Sequence, residues 1–524
     1  MAHPEKNMDD NVSASASLLA TRLQALGPDR LRGIRRGLEK ESLRVLPGGT
    51  LALTPHPLAL GSALTHPRIT TDFSESQLEL ITGVHASVPG MLDELAQIHQ
   101  AVFLALQAEQ PDERLWVSSM PSCLPADEQI PIGQYGHSNV GRAKTVYRMG
   151  LSHRYGRKMQ TISGIHYNWS IPGATNDDYF GLIRNFRRQS FLLLWLFGAS
   201  PAVCRSFVDG LPHGLLPMGN GTLQLPHATS LRMGRLGYQS DAQSRLAVSY
   251  NGLEGYGASL QAALTEPYPA YERIGLREAD GSWKQLSTHL LQIENEFYGT
   301  IRPKRTIRTG ERPLHALRER GVEYVEVRCM DLDPFETFGI GATTAHFLEV
   351  FLLHCLLADS PPDTPEEIGA LGRNQHLTAA RGREPGLTLE RDGRDVKLVD
   401  WAAEIIEQCG PLARALDAVH GGTAHRDAVA AAQQALVDPA SLPSARVLAH
   451  MQAEHGGEFV PFIDARSALA RDAALARPLP DADAPARWAA QAAASLDEQR
   501  RIELAETLPF DTFLVDYLSA ERLG

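Results

Sequence analysis

Side chains in the stretch GLEKESLRV (37–45) alternate with a period of two, so Glu39 and Glu41 share one face with Leu43 and Val45. That spacing predicts a strand within 32–46, and strand signals recur in 69–82 and 160–171. Two further strands are expected at 285–298 (QLSTHLLQIENEFY) and 322–334 (VEYVEVRCMDLDP). Helical spacing marks Ser15–Leu26, the segment after Pro89 (Met91, Leu95, Ile98, Val102), residues 178–198, and an apolar run at 341–358. From about residue 400 the chain is Ala-rich and helical, with 472–487 (DAALARPLPDADAPAR) as a surface loop between helices. The order of elements is neither a βαβ alternation nor a repeat, which implies an α+β fold around a mainly antiparallel sheet. Residues 1–14 read as a disordered N-terminal tail. Residues 15–524 read as a single unit, its sheet core mainly in 32–336 and its helical part at about 341–524.

The strands carry more acid than a buried sheet tolerates. Glu39 and Glu41 lie roughly 7 Å apart along one face, and carboxylates are seldom buried unless paired or bound to a metal. In RITTDFSESQLELIT (68–82), Gln77, Glu79 and Ile81 share a face, with Asp72 just ahead of it. In QTISGIHYNWS, Ile162, Gly164, His166, Asn168 and Ser170 form a polar face opposite Ile165, Tyr167 and Trp169. In EYVEVRCMD, Tyr324, Glu326 and Arg328 oppose Val325, Val327 and Cys329. Taken singly, each has a structural alternative: a wet edge strand, a turn aspartate, a hydrogen-bonded histidine, or a self-neutralising Glu326–Arg328 surface pair. Converging, they could not all stay ionised unaided, since two carboxylates about 4 Å apart repel by roughly 4 kcal/mol at an effective dielectric of about 20. Hard divalent cations, chiefly Mg²⁺, relieve that repulsion with oxygen ligands. An acid-lined sheet with cations and an arginine suits a nucleoside triphosphate, where metals bridge phosphates and arginine stabilises the transferring group.

Composition narrows the field. A formal net charge of -12 argues against a nucleic-acid partner. The cysteines (Cys123, Cys204, Cys329, Cys355, Cys409) are odd in number, far apart and without a CxxC spacing, which favours free thiols in a reducing compartment. The start, MAHPEKNMDDNVSASASLL, has no basic segment leading into an apolar core, and the longest apolar run (FLLLWLFGASPAVC, 191–204) is too short to cross a bilayer. A cytoplasmic protein without a membrane partner is expected. There is no Walker A and no GxGxxG, so a nucleotide must be held in another way.

The blocks RGLEKESLRV, LGSALTHPRITTDFSESQLELIT, QYGHSNVGRAKTVYR, MQTISGIHYNWS, LPHATSLRMGRLGY, LQIENEFYGTIRPKR and GVEYVEVRCMDLDPF follow in order over most of the chain. In them the sequence closely resembles the glutamate–cysteine ligases of the proteobacterial type. The resemblance implies a fold similar to glutamine synthetase, a curved, mainly antiparallel sheet flanked by helices, with the active site on its concave face. It implies that ATP phosphorylates the γ-carboxylate of L-glutamate and that the amine of L-cysteine displaces the phosphate. Carried over motif by motif, Glu39, Glu41, Asp72, Glu79, His166 and Glu326 look like the shell of two or three Mg²⁺ ions, with Mn²⁺ as a substitute. Arg328 resembles the arginine that steadies the transferring phosphoryl group. Tyr147, Tyr238 and Tyr298 fall where the family places its cysteine pocket, and Gln160 and Arg232 where it holds the amino-acid substrates. From the basic run Arg302, Lys304, Arg305 and Arg308, Lys304 is the expected triphosphate contact. Glutathione, which contains both amino acids, is the implied feedback inhibitor. The alternatives are a glutamate ligase for another amine, a metal-dependent hydrolase, and a non-catalytic binding protein.

Overall fold

In the computed structural model a seven-stranded sheet is built from β1 (Arg35–Val45), β2 (Ile69–Thr71), β3 (Gln77–Ile81), β4 (Arg114–Leu115), β5 (Ile165–Ser170), β6 (Ile301–Lys304) and β7 (Tyr324–Met330). Its spatial order is β2-β3-β1-β5-β7-β6, with β4 pairing β1 off this path, and every pairing is antiparallel. The structure describes residues 4–237, 246, 248–308 and 310–524, and for 4–16 the backbone alone.

The helices used below are α1 (Pro4–Arg32), α2 (Val88–Glu109), α3 (Asn139–Tyr155), α4 (Asn176–Gln189), α5 (Phe191–Phe197), α6 (Pro313–Arg320) and α7 (Ala342–Leu357). Five more follow: α8 (Leu398–His420), α9 (Ala424–Val437), α10 (Phe459–Ala476), α11 (Ala484–Ala505) and α12 (Phe510–Tyr517).

The period-two reading explains how the sheet packs. Leu38, Leu78, Leu80, Ile165, Tyr167, Trp169, Val325 and Val327 all enter the main hydrophobic core, where α2, α4, α5 and α7 cover them. The opposite face keeps the polar residues and faces a cavity. In α2 the apolar positions Met91, Leu95, Ile98 and Val102 are fully buried, and Ser87 caps the helix by accepting from the Gly90 N–H. The core runs on without a break into α8 and α9 through Trp401, Ile405, Leu416 and Val429. No helix among the described residues is long and apolar enough to cross a membrane.

Several expectations are corrected. The segment read as a disordered tail has helical backbone from Pro4 on, and a proline is compatible with a first helical turn. The helix expected over 178–198 is two helices broken at Ser190. The strand expected at 285–298 does not form; the segment is irregular with a short turn at Glu294–Glu296. Its backbone donors are captured locally, Leu286 N–H by Gln292 Oε1 (2.9 Å) and Gln292 N–H by Glu296 Oε2 (2.7 Å), which competes with a strand ladder. The loop expected at 472–487 is shorter, because α10 continues to Ala476 and α11 begins at Ala484.

Candidate active site

Register brings the acids together. The β1–β3 pairing sets Glu41 directly opposite Glu79, and the β1–β5 pairing sets Glu39 opposite His166. On the far side, Glu326 of β7 lies opposite Asn168 of β5 and opposite Arg302 of β6, with Tyr324 opposite Lys304. Like charges directly across a sheet are destabilising, so Glu41 against Glu79 is a local conflict that the rest of the site must resolve.

The side chains meet at hydrogen-bond range. His166 Nδ1 is hydrogen-bonded to Glu39 Oε2 at 3.1 Å, and its Nε2 lies 3.7 Å from Glu41 Oε1, too far for a hydrogen bond. Asn168 Nδ2 donates to Glu39 Oε1 at 3.0 Å. Arg328 Nη1 donates to Glu326 Oε2 at 2.8 Å, and Lys304 Nζ reaches Glu326 Oε1 at 2.9 Å. Glu39, His166 and Glu326 each offer a ligand atom within 4.8 Å of the others. Gly164 is there for closeness. Its N–H donates to Glu41 Oε2 at 2.7 Å, and a Cβ at this position would collide with the Arg232 guanidinium.

Electrostatics divides the cavity floor in two. Burial pushes Glu41 well above the usual carboxylate range, with repulsion from Asp72 and Glu79 adding to it. Burial, then Glu39 and Asp72, pushes Glu79 up to about 8. At the other end burial works against ionisation of Glu326, but Lys304 and Arg328 outweigh it and hold the carboxyl well below its usual range. Glu39, between them, is also held low: burial and Glu326 raise it, and the His166 hydrogen bond and Lys304 more than compensate. Burial and the neighbouring Arg328 keep His166 on the neutral side. One end of the floor thus holds a base-neutralised carboxylate, and the other holds carboxylates short of positive charge.

The described site residues expected from the sequence line one cavity of about 870 Å³, near the upper end of the size range for ligand pockets, while Arg305 of the basic run does not. Asp72 sits in the turn between β2 and β3, its backbone carbonyl accepting from Arg148 Nε and from Tyr135 Oη. Tyr147 projects from α3. Gln160 and Tyr298 are joined, Gln160 Nε2 to Tyr298 Oη at 3.0 Å. Arg232 is buried, donating to the Arg328 carbonyl at 2.7 Å and lying 3.7 Å from Asp331. Tyr238 lies outside the described residues.

Sequence reasoning left Lys144 and Arg148 of the lining unnamed and took Arg302 only as part of the basic run. Lys144 and Arg148 flank Tyr147 on α3, and helical spacing with Leu151 would have shown that these positions share a face. Burial, then Arg148, lowers the Lys144 amine to about 8. Arg302 is buried and donates to the carbonyls of Asn295 and Phe297; the alternation of β6 puts it on the same face as Lys304.

Comparison with known proteins gives a consistent result. A family model described as glutamate-cysteine ligase matches residues 22–378. A glutamate–cysteine ligase of Pseudomonas entomophila is 48% identical over 525 residues, covering 96% of this chain and 98% of that protein. Among solved structures, a glutamate–cysteine ligase from Francisella tularensis in complex with AMP superposes with a TM-score of 0.88 at 36% identity, covering 93% of this chain and 98% of that one. A bifunctional glutathione synthetase from Pasteurella multocida matches with a TM-score of 0.68 at 26% identity, over 88% of this chain and 55% of that one.

Proposed function

The chain belongs to the glutamate–cysteine ligase family, and we propose that its acidic cavity carries out the ligation with the residues assigned below. The protein is an ATP-dependent ligase that joins the γ-carboxylate of L-glutamate to the amine of L-cysteine, giving γ-glutamylcysteine, ADP and phosphate. This is the first step of glutathione biosynthesis.

The observation that carries the site assignment is the stacked pair Glu41 and Glu79, whose mutual repulsion and burial leave that end of the floor in need of positive charge. An oxygen-rich donor set with one neutral imidazole fits hard divalent cations, and the spacing of Glu39, His166 and Glu326 supports this. Glu39, Glu41, Asp72, Glu79, His166 and Glu326 would hold Mg²⁺, which supplies charge neutralisation between the anionic substrates. His166, hydrogen-bonded to Glu39, orients that carboxylate as well.

The chain's own groups do the remaining work. Lys304 and Arg328, both bonded to Glu326, face the triphosphate, and Arg328 stabilises charge on the phosphoryl group as it moves to the γ-carboxylate. The resulting γ-glutamyl phosphate is attacked by the cysteine amine, the C–N bond forming as the C–O bond to phosphate breaks. Gln160, Arg232, Tyr147 and Tyr298 bind the amino acids, and Tyr238 is assigned with them. The five free cysteines suit a reducing, cytoplasmic setting. Glutathione, carrying both amino acids, competes for the same cavity, and flat activity under excess glutathione would remove that part of the proposal.

The test is ADP release with Mg²⁺, ATP and L-glutamate, with and without L-cysteine, repeated with the thiol-free analogue 2-aminobutyrate. Strong stimulation by both acceptors is expected. Stimulation only by unrelated amines would overturn the acceptor, and silence with every amine would overturn the ligase reading.

A further inference from the structure

Helices α11 and α12 lie along the rim of the cavity and are tied to it at several separate places. Thr65 Oγ1 donates to the Ser495 carbonyl at 2.6 Å, and Glu503 and Glu506 accept the N–H groups of His137 and Asn139 at 2.8 and 3.0 Å. Phe510 lies 4.2 Å from the Arg142 guanidinium and edge-on to Trp283 at 5.8 Å. The Tyr517 carbonyl accepts from Arg312 Nη1 at 2.7 Å, and buried Glu294 fixes that arginine at 2.7 Å. A helix anchored at both ends holds its side chains in set positions.

Phe513 and Tyr517, one helical turn apart, stack with centroids 5.4 Å apart and planes 13° from parallel, and both line the cavity. They pack with Tyr147, Leu286 and Ile293 in a small apolar cluster separate from the main core. The cations that suit phosphates, Lys304, Arg302 and Arg328, gather instead around Glu326. The Arg312 guanidinium, 4.9 Å from the Tyr517 ring centroid, is already paired with Glu294, so phosphates and carboxylates desolvated against the ring pair would lose hydration without compensation. A short apolar side chain ending in sulfur loses little there and gains contact with the rings.

We propose that the stacked Phe513 and Tyr517 form the wall against which the side chain of the amine acceptor packs, and so limit the acceptor's size. This rests on the ligase reading given above and adds a specificity element to it. Replacing Phe513 by alanine removes the face of one ring and opens room beside the acceptor.

The test uses the full chain with Phe513→Ala, Tyr517→Ala and the conservative Phe513→Leu. Each is assayed with L-cysteine and with the longer acceptor L-norvaline in one preparation. The ratio of the two kcat/KM values does not depend on the fraction of protein correctly folded. In Phe513→Ala, KM for cysteine is expected to rise about tenfold, with KM for ATP and for glutamate within about twofold, and the ratio should move about tenfold toward norvaline. Phe513→Leu should recover most of that change. An unchanged ratio, or a rise in KM for ATP in place of cysteine, would overturn the proposal. Its failure is separable from failure of the ligase reading: cysteine-independent ADP release by the wild type would overturn the reading itself.

Discussion

The two faces of β1 carry opposite charges and treat them in opposite ways. On the cavity face Glu39 and Glu41 stand beside Glu79 and Asp72, and the chain supplies too little positive charge at the Glu41–Glu79 end. On the reverse face Arg36, Lys40 and Arg44 are buried, and each is met by protein. Arg44 donates to Glu113 and Thr54 at 2.6 Å, to Gln110 at 2.7 Å and to the Glu75 carbonyl at 3.0 Å. Arg36 pairs with Glu349, whose other oxygen lies 2.9 Å from His425 Nε2, and His425 Nδ1 lies 2.9 Å from Asp417. Lys40 donates to Ser42 Oγ at 2.8 Å and lies 2.9 Å from His99 Nε2; burial pushes its amine down to about 7. Burying charge is costly on either face. The fold completes one set itself and leaves the other for ligands, so charge left incomplete marks function and charge completed marks architecture.

The largest effect that separates the faces is on catalysis. Glu326→Gln keeps shape and removes charge, and ligation should fall below about 10⁻³ of wild type while the thermal midpoint changes little, because Lys304 and Arg328 open to the cavity and water can take the place of their lost partner. Mg²⁺ should raise the midpoint of the wild type, as any ligand selective for the folded state does, and should raise that of Glu326→Gln much less. Near-normal ADP release by the variant at unchanged Mg²⁺ dependence would sink the metal assignment.

On the reverse face the same kind of change should strike stability. Arg36→Met leaves Glu349 buried without its guanidinium partner and should cost about 3–5 kcal/mol, read from urea unfolding. The protein that remains folded should keep its KM values, because none of these groups lines the cavity. A catalytic defect larger than the loss of folded protein would break the distinction between the faces.

The sequence made the cavity face readable and the reverse face not. Period-two alternation put Glu39 and Glu41 on a face with Leu43 and Val45, Glu79 on one with Ile81, and His166 and Glu326 on polar faces, and antiparallel pairing brings them together. The same alternation puts Arg36, Lys40 and Arg44 on one face, but nothing local reveals that their partners come from Glu349, His99 and Glu113, far away in sequence. The absent strand at 285–298 failed for a different reason. Its apolar pattern suits a strand, yet the nearby Gln292 and Glu296 side chains take backbone donors, a local competition that period-two alternation does not register. Lys144 and Arg148 were readable from helical spacing and were missed.

A smaller effect tests the division within the cavity. Arg328 bonds Glu326, and its proposed role is in the transition state. Arg328→Gln should lower kcat about 10²-fold with KM for ATP changed only a few-fold. Equal losses in both would make it an ordinary contact to bound ATP.

The smallest effect is a pH dependence confined to the reverse face. Burial raises the Glu349 carboxyl, but the His425 hydrogen bond and the Arg36 charge outweigh it and hold it below its ordinary value. In the window between that depressed value and the ordinary one of about 4.3, the unfolded chain binds more protons than the folded chain. Stability therefore rises with pH through this window; the contribution is fully present above it and is lost as pH falls through the folded value. A single group contributes a slope of at most about 1.4 kcal/mol per pH unit. Urea unfolding of Glu349→Gln across pH 3 to 6 should show lower stability at pH 6 and a shallower acid slope than the wild type. An unchanged slope would mean that the Arg36–Glu349–His425 chain does not hold this carboxylate ionised, and that the reverse face is less completely neutralised than its hydrogen bonds suggest.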